Sequence, residues 1–329
     1  MKGENMDPLT HGLVGVALST FSGTAVALDN PISIGAMLGA MSPDLDFVIR
    51  IFKGDAAYLE HHRGIFHTIP FLAGFSLAIT LLLSRVGFAE FSFWTTLLWT
   101  FIGALSHTGL DILNSYGAKL LRKKVKINIL TLYDPVITIL GLYLIVNGKN
   151  SVTELIGGMA IICSYLFIRV KSKRSAKSKL QAYFEENYQN VSVHVMPALK
   201  SFYKWDFVVH TKTHNIVGSY NPWQNMIKKT TTVKHIKIVK ELKLNEICYY
   251  DVFKSTVVGE IFTGFSPNLH INVSHDETSN QIILQAIDLR YYFKENFMHH
   301  ATLILDCDLN FISSFLHPYK INKAIPVYQ

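Results

Sequence analysis

The sequence predicts a polytopic α-helical membrane domain followed by a soluble, mainly β (α+β) domain. Three observations lead there. Charged residues make up only 17% of the 329 residues, against 49% hydrophobic, whereas a soluble domain usually carries about 25% charged residues. The long apolar runs are confined to residues 9–170, and residues 180–329 have the composition of an ordinary soluble domain. Lysine and arginine also cluster beside the apolar runs, which is the signature of membrane topology rather than of a nucleic-acid-binding face. No nucleic-acid partner is therefore expected, despite a net charge of +7.

The apolar segments justify the first domain, residues 1–170. They cover 11–28, 31–42, 65–84, 93–110, 132–147 and 152–170. The third, fourth and sixth approach the roughly 20 residues of a full span, and the fifth is slightly short. The first two are rich in Gly and Ala, and the second is too short to span alone. They read as a tightly packed helical hairpin or a partly re-entrant pair. "AVA" at 25–27 resembles a signal-peptide cleavage site, but the preceding stretch "MKGENMDPLTH" holds two acids and one lysine rather than a basic n-region. Thr10 is positioned to cap the first helix.

Orientation follows from the basic loops. Residues 119–126 and 169–179 are both dense in Lys and Arg, which places both on the cytoplasmic side. Segments five and six then go out and back. By the same count 84–92 lies outside and 43–64 inside. A basic linker, 171–180, leads into a cytoplasmic β-rich domain, 181–329. Its strands are expected at 190–196, 203–210, 232–240, 269–274, 281–289 and 301–309, where β-branched and aromatic residues alternate or run. Cys163, Cys248 and Cys307 are odd in number and fit no zinc ribbon or disulfide scaffold, so they read as buried reduced thiols.

Histidines and acids gather at the cytoplasmic ends of four segments. His11 opens the first, Asp44 and Asp46 follow the second in "SPDLD", and His61, His62 and His67 lead into the third in "HHRGIFHT". His107 and Asp111 close the fourth in "SHTGLDILNSYG". His107 and Asp111 are four apart on a helix and share a face, which Asn114 continues. Ligands at that spacing are a recurrent metal-binding arrangement. Imidazole with carboxylate suits zinc, manganese or iron better than calcium. The candidate ligands are His11, Asp44, Asp46, His62, His67, His107 and Asp111. His61 competes with His62, which is favoured because Gly64 two positions later permits close backbone approach. Seven ligands exceed a closed four-coordinate shell, so either a two-metal centre or one open metal with outer carboxylates fits. The remaining histidines, His194, His210, His214, His235, His270, His275, His299, His300 and His317, read as surface residues.

"MDPLTHGLVG", "SPDLD", "HHRGIFHT" and "SHTGLDILNSYG", in this order, resemble the YdjM-like family of inner-membrane metal-dependent hydrolases. The resemblance covers residues 6–117 and extends toward 170, and the β-rich tail is similar to that of longer Gram-positive members. It implies a multi-pass protein of the bacterial inner membrane with a divalent metal, zinc or manganese, and a metal-dependent hydrolytic activity. The matching positions are Asp7, His11, Asp44, Asp46, His62, Arg63, His67, His107, Asp111 and Asn114. Phe66 departs from the small or β-branched residue common before the last histidine of that motif, but leaves the ligand in place. Arg63 and Asn114 are the candidates for catalytic roles, Arg63 by neutralising an anionic group on the substrate. A site at headgroup level points to membrane lipid as partner and to a lipid ester or phosphodiester as substrate. Two rivals differ in class. A non-enzymatic metal-binding scaffold, with a partner-recruiting cytoplasmic domain, would tolerate a closed metal shell. A transporter would need ionisable groups near the bilayer midplane, whereas here they lie at segment ends.

Overall fold

The computed structural model describes residues 8–46, 64–115, 117–121, 123–131, 133–199, 201–234, 246–293, 295–318 and 324–328. The chain divides into two compact units. One comprises residues 1–48, 61–174 and 196–203, and the other 49–60, 175–195 and 204–329. The first is helical and the second β-rich, in the predicted order.

The helical unit contains α1 (Pro8–Ser19), α2 (Pro31–Met41), α3 (Ile69–Leu83), α4 (Phe93–Leu113) and α5 (Pro135–Asn147). The first part of α6 (Val152–Glu185) completes it. Sequence signals at the helix starts account for several of these bounds. Asn30 caps α2 by accepting the Ile32 N–H at 2.9 Å, and Pro31 supplies the preset φ of a first helical residue. Asp134 caps α5 in the same way, with Pro135 following. The first helix already begins at Pro8, so Thr10 lies within its opening turn instead of capping it. It ends at Ser19, short of the expected 28, in a 3-10 turn closed by Gly23.

Helices α1, α2 and α4 approach each other closely because glycines line their contacts. A Cβ added at Gly39 of α2 would collide with the Thr100 carbonyl of α4, and one at Gly103 of α4 would strike the Ala36 carbonyl. Small residues let helix backbones approach in this way where lipid offers no hydrophobic drive for association. The outer faces are apolar: Leu81 and Leu82 on α3, Ile139 and Val146 on α5, and Ile156 and Ile161 on α6 are all exposed. Among the described residues, one helix, α6, has both the length and the apolarity to cross a membrane. It runs 15 residues past the expected end of segment six, through the stretch expected as a linker, because Lys, Arg, Ala and Gln there are good helix formers. Its Arg169 is buried, with Nε donating to the Ile129 carbonyl at 2.8 Å.

A short hairpin, β1 (Ala118–Lys119) with β2 (Lys124–Val125), carries the first basic loop. The second unit is built on two antiparallel sheets. In the first, β3 (Ser192–Ala198), β4 (Ser201–His210), β5 (His214–Asn221) and β6 (Met226–Lys234) lie in sequential order. Trp205, Phe207 and Ile216 pack with Leu180 and Phe184 of α6 in its core. The second sheet has five strands. They are β7 (Leu269–Asp276), β8 (Gln281–Asp288), β11 (His299–Asp306), β12 (Phe311–Pro318) and β13 (Ile325–Pro326), ordered β13-β12-β11-β8-β7. The short pair β9 (Tyr292–Phe293) and β10 (Asn296–Phe297) precedes β11. Two helices not expected from the sequence, α7 (Glu246–Lys254) and α8 (Val257–Phe265), cover this sheet through Phe253, Val258 and Phe262. Strands β5 and β12 were also not expected, and residues 235–240 of the expected 232–240 strand lie outside the described residues.

Two readings of single residues are corrected here. Cys163 and Cys307 are exposed free thiols, not buried ones. Cys163 sits on the outer face of α6 and Cys307 in the turn after β11. His270, His299, His300 and His317 are buried, not superficial. They lie on strands that pack into the unit, and each ring has a defined polar neighbour. His300 Nε2 donates to the Phe297 carbonyl at 2.9 Å, for example.

Candidate metal centre

Four stretches of chain deliver the polar side chains of the helical unit to one place. The opening turn of α1 carries His11. The 3-10 turn Ser42–Asp46 after α2 carries Asp44. A second 3-10 turn, Ile65–His67, delivers His67 just before α3, and the last turns of α4 carry His107 and Asp111. His67, His107 and Asp111 are fully buried, and His11 and Asp44 nearly so.

The separations are informative. His67 Nε2 lies 3.2 Å from Asp111 Oδ2, and His107 Nε2 lies 3.5 Å from the same oxygen. His107 Nε2 is 3.6 Å from Asp44 Oδ1, and His11 Nε2 is 3.7 Å from Asp111 Oδ1. Ligands about 2.0–2.1 Å from a tetrahedral ion stand about 3.4 Å apart from one another. The observed spacings fall around that value, longer than most direct hydrogen bonds. His11, His107 and Asp111 each bring one donor atom within 4.8 Å of the others, as do Asp44, His67 and His107. Asp111 turns its two oxygens toward different histidines, Oδ1 toward His11 and Oδ2 toward His67 and His107.

The tautomer of His107 is fixed by its surroundings. Its Nδ1 lies 2.7 Å from the Ala40 carbonyl, which can only accept, so Nδ1 carries the hydrogen. Nε2, the atom facing Asp44 and Asp111, is left to hold either a lone pair or a second proton. A cation between Nε2 and the two carboxylates, or a second proton on Nε2, would balance their charge, and a backbone carbonyl behind a ligating imidazole is the usual outer support. The His11 ring stacks on His107 with centroids 3.7 Å apart. The donor set and its spacing therefore fit a divalent ion.

Asn114 caps the end of α4. Its amide donates to Asp111 Oδ1 at 2.9 Å, and its own oxygen accepts the Gly117 N–H. It thus orients a candidate ligand. Thr108 Oγ1 reaches the His67 carbonyl at 3.4 Å and ties the turn before α3 to α4. Asp46 ends the 3-10 turn, and only its backbone is described. His61, His62 and Arg63 lie outside the described residues. Ala40 was invisible to sequence reasoning, since a backbone carbonyl leaves no mark in residue identity.

A helical unit with apolar outer faces, closed around buried histidines and aspartates that could hold a metal ion and followed by a β-rich tail, defines the class of protein. Within it, the chain belongs to the YdjM inner membrane protein family, whose model matches residues 6–176. Residues 249–325 match a second model, the YfhP C-terminal alpha/beta plait domain. The chain is 26% identical over 327 residues to "Uncharacterized protein YfhP" of Bacillus subtilis (strain 168), covering 94% of each. Family and longer type both agree with the sequence reading, and membrane localisation follows from the family. No solved structure matches the chain.

Proposed function

We propose that this protein is a membrane-bound metal-dependent hydrolase that cleaves an ester or phosphodiester at the cytoplasmic face. The observation that carries the reading is His107, whose Nδ1 is committed to Ala40 while Nε2 faces two carboxylates. His11, Asp44, His67, His107 and Asp111 would hold the ion, zinc or manganese by donor type, with Asp46 and His62 as further candidate ligands. A bound divalent ion supplies Lewis acidity and a water activated near neutral pH. The chain's own residues do the rest. Asn114 keeps Asp111 in register, the Ala40 carbonyl holds the His107 proton away from the centre, and the packed helices exclude bulk water. Arg63 is the candidate for meeting an anionic substrate.

The reading includes a multi-pass topology with basic loops 119–126 and 169–179 inside and the β-rich unit cytoplasmic. The apolar outer faces of α3, α5 and α6 support it. A reporter inserted near Gly87 should be accessible from outside, and one fused after the 169–179 cluster should not.

The rival scaffold reading draws support from the complete burial of His67, His107 and Asp111, since a closed shell suits a structural ion. Metal analysis of the lipid-reconstituted protein, with a panel of chromogenic esters and phosphodiesters, separates the two. The hydrolase retains metal in Arg63→Ala but loses turnover, and loses the metal itself in His67→Ala. A metal-loaded wild type inert across the panel would leave the scaffold, and a wild type that binds no divalent ion would sink both.

A further inference from the structure

Between residues 112 and 174 the chain has ten Lys and Arg and two acids, Asp134 and Glu154. Asp134 is buried, where it caps α5 and accepts the Tyr165 hydroxyl at 2.7 Å. Glu154 lies in the first turn of α6, about 22 Å along that helix from Arg169. Neither is placed to balance the basic hairpin of β1 and β2. A loop that only sets membrane topology needs positive charge and no particular structure. This one is folded and held from three helices. The Ile127 and Ile129 N–H groups donate to the Ile112 and Leu113 carbonyls at the end of α4, both at 2.8 Å. The Leu120 carbonyl accepts the Ile69 N–H at the start of α3, and Lys173 Nζ of α6 donates to the Ile127 carbonyl at 2.9 Å.

The fold of the hairpin sets like charges together. Its register pairs Lys119 directly with Lys124. Like charges opposite each other across two strands repel, and an anion at the pair removes the repulsion. Lys123, Lys124 and Lys126 are exposed, and so are Leu121, Val125 and Ile127 among them, Leu121 at 63%. A soluble anion would engage the lysines and leave these apolar side chains in water. A second copy of the hairpin would bring lysine against lysine. An anionic bilayer surface suits both kinds of residue, with phosphate for the ammonium groups and the acyl boundary for leucine.

The depth agrees. Helix α4 has 21 residues and is about 31 Å long, against a hydrocarbon core of about 30 Å, and the hairpin is bonded to its last two residues. On α6 the change from apolar to basic falls at the same level. Phe167 and Ile168 are exposed, the adjoining Arg169 meets the Ile129 carbonyl, and the Lys171 ammonium lies 4.8 Å from the centre of the Phe167 ring. A lysine whose stem follows apolar surface while its charge turns to the interface marks that boundary.

We infer that the β1–β2 hairpin, with Lys171 and Lys173 of α6, is a docking surface for the head groups of anionic phospholipids, its lysines on the phosphates and Leu121 in the acyl boundary. The inference rests on the membrane reading of the helical unit and needs no hydrolytic activity.

The full-length protein in phosphatidylcholine nanodiscs, open to solvent on both faces, gives the test. The discs carry a trace of phosphatidylglycerol or phosphatidylcholine with a diazirine at the glycerol end of one acyl chain, and adducts are mapped by mass spectrometry. At low salt, adducts on residues 118–127 should favour the phosphatidylglycerol probe about fivefold, a preference of about 1 kcal/mol and the scale of one lysine at an anionic surface. The ratio should fall toward one in 1 M salt, where the Debye length is about 3 Å. Lys119→Gln combined with Lys124→Gln should bring it near one at low salt with metal content unchanged. Lys149→Gln, which removes a positive charge from the turn before α6, should leave it at about fivefold. Leu121→Ser should lower the yield of both adducts and keep their ratio. A ratio of one in wild type, or one that Lys149→Gln reduces as much as the hairpin pair does, would overturn the docking surface. So would a hairpin unlabelled by either probe while Val146 of α5 is labelled, an outcome that leaves the membrane reading standing. No adduct anywhere on the chain would sink that reading as well. A single-stranded RNA that displaces the phosphatidylglycerol adducts at micromolar concentration would reassign the lysines to nucleic acid.

Discussion

Among the described residues, buried histidine and aspartate gather in a cluster in each unit, and the two clusters are balanced differently. In the β-rich unit Asp288, fully buried, receives Arg290 on both oxygens: Nη2 at 2.7 Å from Oδ2 and Nε at 3.0 Å from Oδ1. A second bond from Nη2 to the Phe265 carbonyl and the faces of Phe265 and Tyr291 complete the guanidinium's surroundings. The cation is covalently built in. Burial pushes the Asp288 carboxyl up, but the charge and hydrogen bonds of Arg290, with help from His299, outweigh it and hold the carboxyl below its usual range. His299 beside it is driven down to about 4, first by burial and then by the Arg290 charge, against the opposing pull of Asp288. In the helical unit Asp44 faces His107, and Asp111 faces His11, His67, His107 and Asn114. Burial of His with Asp is thus no metal signature by itself. What distinguishes the helical cluster is that three histidine nitrogens face its carboxylates, where the β-rich cluster offers a guanidinium.

The comparison can be broken most decisively by exchanging the perturbations. His107→Ala should bring bound metal to background in elemental analysis while leaving the β-rich unit's melting unchanged. Asp288→Ala should leave metal content unchanged and destabilise the β-rich unit by about 3–5 kcal/mol, because Arg290 would be left buried without its partner. Loss of metal in Asp288→Ala, with the helical unit still folded, would mean the clusters are not independent. A smaller effect is expected at Asn114. Asn114→Ala removes the amide that orients Asp111 and should weaken metal affinity by about 10–100-fold, the usual cost of an outer partner. A chelator competition titration would read it, and an unchanged affinity would strip Asn114 of its positioning role.

The smallest effect concerns pH and belongs to the β-rich unit alone. His299 has a folded pKa of about 4 against an ordinary 6.5. Between those values the unfolded chain binds more protons than the folded one, so stability is complete above about pH 6.5 and falls as the pH drops toward 4. From pH 6.5 to 5 the loss is about 2 kcal/mol. Asp288 adds to it only below its ordinary value near 4. The opening free energy of the β8 and β11 amides, from hydrogen exchange corrected for the intrinsic rate at each pH, should fall over that window in wild type and hold steady in His299→Gln. A wild type whose corrected opening free energy does not fall would remove His299 from the account.

The helical half was legible because its signals are local. Pro31 and Pro135 after Asn and Asp mark helix starts, and "SHTGLDILN" sets three polar groups on one helix face. The convergence of His11, Asp44 and His67 on that face followed from counting segment ends. What stayed hidden was non-local. His299 and His300 were judged by their immediate neighbours, whereas Asp288 approaches His299 through the pairing of β8 with β11. Helices α7 and α8 were hidden because "EICYYDVFK" and "VVGEIFTGF" are rich in aromatic and β-branched residues that favour strands. Packing against the sheet overrides that preference.

The carbonyl of Ala40 has one more consequence. It holds the His107 hydrogen only because α2 and α4 lie as close as Gly39 and Gly103 allow. A single methyl at Gly39 meets the Thr100 carbonyl and must push the helices apart, carrying the neighbouring acceptor away from the imidazole. The ring could then change tautomer, presenting a hydrogen to the carboxylates instead of a lone pair. A residue with no side chain thus governs the chemistry of a neighbour it never touches. Across variants of this protein, glycine-to-alanine changes at this contact should therefore be tolerated as poorly as changes to the ligands themselves.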